Sequence, residues 1–186
     1  VWAKFGKSIA QCVAVDYGAA LFQAANRSKA PQKISELFAR TIKSIINGEI
    51  LDVLFEQAGR EDEPYVLQNR YRDIAERDYL EMVSQKTATL FQASCEAGGI
   101  CAGAPSKEIK ALRDYGFNLG MAFQISDDIL DIFGSEPKFG KKIGKDIEER
   151  KMGNIVIYFS SREFSAKDKK EFRQILRKKK IAQRDI

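Results

Sequence analysis

The four prolines of the chain fall between long segments whose apolar residues recur with the period of an α-helix; they are Pro31, Pro64, Pro105 and Pro137. Because proline inside a helix costs about 3 kcal/mol, each one marks a boundary between helices. The pattern predicts helices over 3–26, 33–57, 74–101, 107–133 and 147–160, another after the N-cap Ser165, and long loops over 60–73 and 134–146. Alternating strand patterns are absent, so we expect an all-α bundle.

Composition limits the functions that such a bundle can have. The 186 residues are 44% hydrophobic and 31% charged, which predicts a single globular domain over 1–186. There is no histidine, which removes the usual general base and the commonest nitrogen ligand of transition metals. The net charge of +5 arises from 31 basic and 26 acidic residues, and it indicates a mixed solvated surface rather than a nucleic-acid interface.

Cysteine usage and the two ends of the chain give further expectations. Cys12, Cys95 and Cys101 lack metal-site spacing, and we expect Cys95 and Cys101 to be buried, reduced thiols of a cytoplasmic protein. No run of 18 apolar residues and no signal peptide occurs, so we expect no stable membrane insertion. The chain opens on Val1 and ends at Ile186 just after a basic cluster, and we expect it to be truncated or incompletely recorded at both ends.

The fourth predicted helix carries the residues with the clearest chemistry. Steps of three or four residues form one stripe from Gly116, Gly120, Gln124, Asp127, Asp128 and Asp131. The two glycines each cost about 1 kcal/mol relative to alanine, so they indicate close helix packing or a cavity that must stay open. The three aspartates either form a solvated helix face or belong to a functional site. Asp127 and Asp131 can converge, and all-oxygen ligation suits Mg²⁺.

Two lysine-bearing segments accompany the aspartates. The loop GKKIGKDIEERK over 140–151 is not a Walker A loop, but its glycines and lysines suit an approach to phosphate. Lys86-Thr87 lies in mid-helix, where the lysine either extends along an exposed face or binds an anion. Asp16 and Asp52 interrupt apolar helices, and we expect each to be a buried carboxylate that binds a neighbouring helix.

Taken together, the segments GEILD, KTATLF, FQISDDILD and FGKKIGKDIEERK resemble the trans-isoprenyl (polyprenyl) diphosphate synthase family, over nearly the whole chain. The resemblance implies an all-α barrel of long helices around a central cavity, the isoprenoid synthase type, and a homodimer. It implies a geranyl-, farnesyl- or geranylgeranyl-type transferase. Such an enzyme condenses an allylic prenyl diphosphate with isopentenyl diphosphate in the presence of Mg²⁺, after ionisation of the allylic diphosphate.

The resemblance also assigns roles to individual residues. Asp127 and Asp131 would ligate Mg²⁺, with Asp128 as a supporting ligand. The diphosphate would be bound by lysines, namely Lys86, Lys141 or Lys142, and Lys151. The reacting end of the cavity, near the developing cation, would be lined by Lys86, Thr87 and Gln124.

Three departures from the family pattern keep alternatives open. The upstream DDxxD motif and the arginines that follow it are absent, so we expect this chain by itself to be inactive. The family's GQ is Gly48-Glu49 here, and its KxTLP segment reads KMGNI from Lys151. A catalytically silent partner subunit of the same fold and a terpene cyclase therefore remain rival interpretations.

Overall fold

The computed structural model describes residues 2–57, 59–135, 143–178 and 181–182. Its helices are α1 (Trp2–Phe5), α2 (Lys7–Asn26), α3 (Pro31–Phe55), α4 (Pro64–Asn69), α5 (Glu76–Val83), a π-helical turn (Ser84–Ala88), α6 (Thr89–Ala102), α7 (Ser106–Phe133), α8 (Lys145–Glu148), α9 (Ile155–Glu163) and α10 (Ala166–Arg177). Within the described ranges, β-type pairing is limited to one isolated antiparallel bridge between Glu56 and Lys151. The expected all-α class is confirmed.

The helix boundaries follow the local chemistry of the sequence. Pro31 and Pro64 occupy the start of α3 and α4, where the missing proline N–H is not needed. Ser165 caps α10 as predicted, because its hydroxyl accepts a hydrogen bond from the backbone N–H of Asp168 at 3.2 Å. Pro105 immediately precedes α7, the 28-residue helix that carries the polar stripe.

Three predicted elements differ from the structure. The first helix is broken at Gly6, whose φ of 83° belongs to the left-handed region. The predicted loop 60–73 contains the short helix α4. The predicted helix 147–160 is interrupted between α8 and α9, because Arg150 has a φ of 59° and the chain turns back toward α3. There, the N–H of Gln57 donates to the Arg150 carbonyl at 3.1 Å.

Other predictions fail for reasons of packing. Asp16 lies on an exposed face of α2 beside Val15 and Tyr17, because the described helices leave that face uncovered. Cys95 and Cys101 are free thiols, as expected, but they are half-buried rather than buried.

Pro137 and most of the predicted loop 134–146 lie outside the described residues. None of the described helices is both long enough and apolar enough to span a membrane.

The interior is formed where the end of α3 meets α5 and the segment before α5. A cluster of buried side chains consists of Phe55, Ile74, Tyr79, Met82 and Val83. Helices α6 and α7 form the most extensive helix pair, and glycines set their separation. A Cβ at Gly116 would lie 2.6 Å from the Phe91 carbonyl oxygen, and one at Gly120 would lie 2.6 Å from Ala88 Cα. Of the two explanations for these glycines, close helix packing is therefore the observed one.

Helix α3 approaches the π-helical turn even more closely, at Gly48. A Cβ there would lie 2.3 Å from the backbone nitrogen of Lys86 and 2.7 Å from its Cα. Backbone atoms cannot move aside as a flexible side chain can. Gly48 is thus the point at which the two elements touch, and any larger residue must push them apart.

We predict that Gly48→Ala lowers the free energy of unfolding by about 1–3 kcal/mol, because the added methyl group collides with backbone. Gly98→Ala is the matched control, since Gly98 is an exposed position of α6 where an added Cβ would have no neighbouring atom within 4 Å. That control should be neutral or stabilise by up to about 1 kcal/mol, through higher helix propensity. Urea unfolding of both variants is the measurement, and equal effects would contradict the packing argument.

Candidate functional site

The π-helical turn Ser84–Ala88 places two of the predicted site residues, Lys86 and Thr87. Turns of this kind inside α-helices occur frequently at functional sites, because the extra residue re-aims the side chains around it. Here the two adjacent side chains contact different neighbours. Lys86 binds carboxylates of α3, whereas Thr87 binds an amide of α7. The turn therefore joins two polar clusters.

The first cluster brings two predicted lysines together around one carboxylate. Lys86 Nζ lies 2.7 Å from Asp52 Oδ2 and 2.9 Å from Glu49 Oε2. Lys151 Nζ lies 3.8 Å from the same Asp52 oxygen and 3.2 Å from Glu149 Oε2. Lys151 reaches this position through the β-bridge between its own backbone and Glu56. The prediction that Asp52 is a buried carboxylate bound to a neighbouring helix is confirmed.

Both lysines are charged in this environment. Burial by itself would lower the pKa of Lys86 and of Lys151, but Asp52 together with Glu49 around Lys86, and with Glu149 and Asp146 around Lys151, more than offsets it, so both pKa values are raised. The interpretation of Lys86 as a lysine extended along an exposed face is therefore wrong. It is a half-buried cation held between acidic partners.

The second cluster is a chain of hydrogen bonds through the polar stripe of α7. The Thr87 hydroxyl donates to Gln124 Oε1 at 2.8 Å, and Gln124 Nε2 donates to Asp128 Oδ1 at 2.9 Å. The Tyr79 hydroxyl donates to Asp128 Oδ2 at 2.7 Å, and the backbone N–H of Ile155 donates to the same oxygen at 3.0 Å. The amide of Gln124 is thereby fixed in orientation between an acceptor and a donor.

Burial has the largest effect on the pKa values of the two titratable groups in this chain of hydrogen bonds. Burial raises the pKa of Asp128, although its three hydrogen-bond donors act in the opposite direction. Burial also raises the pKa of Tyr79, and the adjacent Asp128 adds to that effect. The hydroxyl of Tyr79 therefore stays protonated and serves as a permanent donor to Asp128.

Asp131, one turn after Asp127, organises the start of α8. Its Oδ1 accepts from the N–H of Lys145 at 3.3 Å and its Oδ2 from the N–H of Asp146 at 3.1 Å, while its carbonyl accepts from Gly144 at 2.6 Å. A carboxylate at the first turn of a helix satisfies N–H groups that have no partner within the helix. Asp131 thus ties the end of the lysine-bearing loop to α7.

Asp146 and Asn154 complete the site from the other side. Asn154 is fully buried, and its Nδ2 donates to Asp146 Oδ2 at 2.9 Å and to the Asp128 carbonyl at 3.2 Å. The pKa of Asp146 is raised to about 6, mainly by burial, and the nearby carboxylates of Asp131 and Asp128 contribute to the rise. Neither residue was singled out from the sequence. For Asn154 a sequence signal was available, because an asparagine directly before an apolar helical segment is a typical N-cap, and Asn154 caps α9.

The structure places the other predicted residues as follows. Asp128 and Asp131 are buried and Asp127 is half-buried, so a solvated face is excluded for the first two. Lys141 and Lys142 lie outside the described residues. Among the residues that the structure describes, no three acidic or cysteine side chains surround a common point as a metal cage. The sequence also did not identify Tyr79, whose hydroxyl binds Asp128.

Comparison with known proteins adds to this geometry. The sequence profile of the polyprenyl synthetase family matches residues 1–186. The chain belongs to the polyprenyl synthetase family. Its fold is accordingly the all-α isoprenoid synthase type that the sequence resemblance implied.

Individual relatives show how much of a family member this chain represents. It is 37% identical over 158 residues to the short chain isoprenyl diphosphate synthase of Methanothermobacter thermautotrophicus, which covers 83% of this chain and 44% of the relative. It is 38% identical over 129 residues to heptaprenyl diphosphate synthase component 2 of Geobacillus stearothermophilus, covering 69% and 36%. The chain thus spans less than half the length of these relatives.

A solved structure gives the same picture. The polyprenyl synthase from Caulobacter crescentus, a crystal structure complexed with calcium and isoprenyl diphosphate, superimposes with a TM-score of 0.68 and 30% identity. The match covers 81% of this chain and 42% of that one. The helices described above are therefore arranged as in part of a polyprenyl synthase.

We predict that Tyr79→Phe destabilises the protein by about 1–2 kcal/mol, because it removes a buried hydrogen bond to the Asp128 carboxylate. Tyr115→Phe, on the exposed part of α7, is the control and should change stability little. Denaturant unfolding at pH 7 measures both. A Tyr79→Phe variant as stable as the control would show that Asp128 does not depend on this donor.

Asp146 should make stability depend on pH in the absence of divalent metal. Its folded-state pKa of about 6 exceeds the reference value of 3.8, so the folded state binds the proton more tightly than the unfolded state does. Its contribution is therefore most favourable below about pH 4 and is lost as pH rises through 6. We expect wild type to lose about 1–3 kcal/mol relative to Asp146→Asn between pH 4 and 7. The free energy of unfolding is measured against pH in the presence of a chelator, with the exposed variant Asp62→Asn as the control. Parallel profiles for wild type and Asp146→Asn would contradict the prediction.

Proposed function

We propose that this chain is the diphosphate-binding part of an isoprenyl diphosphate synthase of the geranyl, farnesyl or geranylgeranyl type. The protein would condense an allylic prenyl diphosphate with isopentenyl diphosphate by ionising the first and elongating the chain. One observation carries the proposal. The π-helical turn holds a lysine of the Lys86–Asp52–Lys151 cluster directly beside a threonine that is hydrogen-bonded into the Gln124–Asp128 chain.

The arrangement suits the separation of a diphosphate from an allylic carbon. Lys86 and Lys151 supply two ammonium groups, on neighbouring elements, that can bind the oxygens of the leaving diphosphate. The adjacent Thr87 and Gln124 offer oriented polar oxygens where positive charge would develop on the hydrocarbon. In this proposal they are the residues nearest the reacting carbon, and Tyr79 and Asp128 hold Gln124 in place.

Mg²⁺ fits the available donors, which are carboxylate oxygens without histidine. Such ions are usually held by one or two carboxylates together with substrate phosphates, so a cage made only of protein is not required. Asp127, with Asp131 and the supporting Asp128, would hold it. Burial raises the pKa of Asp146 and of Asp128, and neighbouring carboxylates raise both further; a divalent cation would relieve the repulsion between these carboxylates. The bound metal would neutralise the leaving diphosphate.

Two relatives support these assignments without deciding the assembly. The Caulobacter crescentus enzyme was crystallised with a divalent cation and an isoprenyl diphosphate, which supports the same ligand classes here. The family resemblance favours a homodimer. The name of the Geobacillus stearothermophilus relative, a component 2, instead supports a protein that works with a second, different component. A catalytically silent subunit remains the second candidate on that ground.

We predict that Asp127→Ala combined with Asp131→Ala abolishes turnover of the complete protein with an allylic diphosphate, isopentenyl diphosphate and Mg²⁺. Because Asp131 also holds the start of α8, the single variant Asp127→Asn should be tested alongside and should lower turnover at least tenfold. Asp114→Asn is the control, because Asp114 lies on the same helix with a side chain that is 47% exposed, and it should leave turnover unchanged.

Product analysis separates the rival functions. Elongated prenyl diphosphates support the proposal, whereas cyclised hydrocarbons would favour a terpene cyclase. Full activity in the double variant would refute the role of the aspartates. No turnover by the wild-type protein, together with metal-dependent diphosphate binding, would favour the silent subunit.

A further inference from the structure

Lys86 is held by two carboxylates of α3 that differ in their exposure. Asp52 and Glu49 lie three residues apart on one face of the helix, and both contact the Lys86 ammonium group, at 2.7 Å and 2.9 Å. The Asp52 side chain is only 9% exposed, whereas that of Glu49 is 57% exposed. The two contacts are therefore not equivalent, although their lengths are nearly equal.

Exposure decides which contact an incoming anion can replace. A buried carboxylate that loses its partner cannot be rehydrated, so displacing Asp52 is costly. Asp52 also faces Lys151, at 3.8 Å, and it separates two cations that would otherwise repel each other. An exposed carboxylate such as Glu49 returns to water at little cost, because exposed ion pairs contribute little.

The charges around the two lysines are already balanced by acidic side chains. Lys86 pairs with Glu49 and Asp52, and Lys151 pairs with Asp52 and Glu149. An anionic ligand that binds Lys86 must therefore take the place of one of these carboxylates or share the ammonium group with it. Glu49 is the only partner of Lys86, among the described residues, that can leave without uncovering a buried charge.

We propose that Glu49 is a replaceable partner of Lys86 that competes with the diphosphate of the substrate, whereas Asp52 is a fixed partner that positions both lysines. The inference rests on the proposed function and adds a residue that sets how tightly the diphosphate group binds. Glu49 keeps Lys86 paired and extended toward α3 while the site is empty. It lowers the affinity of the site for diphosphate through competition and through like-charge repulsion.

Substitutions of the two carboxylates should act in opposite directions. Glu49→Gln removes the competing charge but leaves Asp52 to orient Lys86, so the dissociation constant of Mg²⁺ and inorganic diphosphate should fall about two- to fivefold. Asp52→Asn should raise that constant at least fivefold, because Lys86 and Lys151 lose their common partner. Calorimetric titration of the complete protein with inorganic diphosphate, with and without Mg²⁺, measures both effects.

Glu36→Gln is the matched control. Glu36 is an exposed glutamate of the same helix, 13 residues before Glu49, so the variant removes the same charge about 20 Å away. Its diphosphate affinity should equal that of wild type. The thermal midpoint of Glu49→Gln should also stay unchanged, whereas a purely structural role for Glu49 would lower the midpoint and weaken binding.

The outcomes distinguish the inference from the function on which it rests. If wild type shows no metal-dependent diphosphate binding, the proposed function fails. If wild type binds but Glu49→Gln binds no more tightly than Glu36→Gln, the competition by Glu49 is refuted while the function stands. If Asp52→Asn does not fold, the comparison of Glu49→Gln with Glu36→Gln still shows whether Glu49 competes with diphosphate. Tighter binding in Glu49→Gln together with a lower KM for the allylic diphosphate supports the inference.

Discussion

The contact between α3 and the π-helical turn is the constraint on which the rest of the site depends. Gly48 allows the two backbones to approach until a Cβ would overlap the Lys86 nitrogen. One turn further along α3, that approach brings Asp52 within 2.7 Å of the Lys86 ammonium group. The same end of α3 carries the bridge to Lys151. A wider separation of α3 from the turn would therefore move Lys86 away from the carboxylate that it shares with Lys151.

The site is built from two clusters with different physical characters. Around Asp52, half-buried cations and carboxylates compensate each other, and an exposed edge is left at Glu49. Around Asp128, a buried carboxylate is satisfied by neutral donors from a tyrosine, a glutamine and the backbone. The adjacent residues Lys86 and Thr87 connect the clusters, so a displacement of the π-helical turn would disturb both.

The described helices carry exposed apolar side chains outside the site, and this chain matches only part of the length of its relatives. Exposed aromatic and aliphatic side chains occur on α2 and on the outer face of α7, for example Tyr17, Tyr115 and Phe123. The curated relatives are more than twice as long as the matched segment of this chain. The family membership is a property of residues 1–186, whereas catalysis and assembly belong to the complete protein and are proposals.

Much of the fold follows from the sequence, because helix periodicity and proline positions are local signals. Those signals predicted α3, α7 and the N-cap of α10, and they placed Gln124 and the aspartates on one stripe. They failed at Gly6, at α4 and between α8 and α9. The last break exists because residues 150–152 pair with the end of α3, which is a contact between distant segments.

Only the tertiary structure decided which charged groups share a partner. Lys86 and Lys151 are 65 positions apart, and no local pattern shows that both face Asp52. Nor does periodicity distinguish Asp128, which is buried against Tyr79, from Asp131, which holds the start of α8. Spacing along a helix determines which side chains share a face. Burial and charge pairing depend on what packs against that face, and distant parts of the chain supply it.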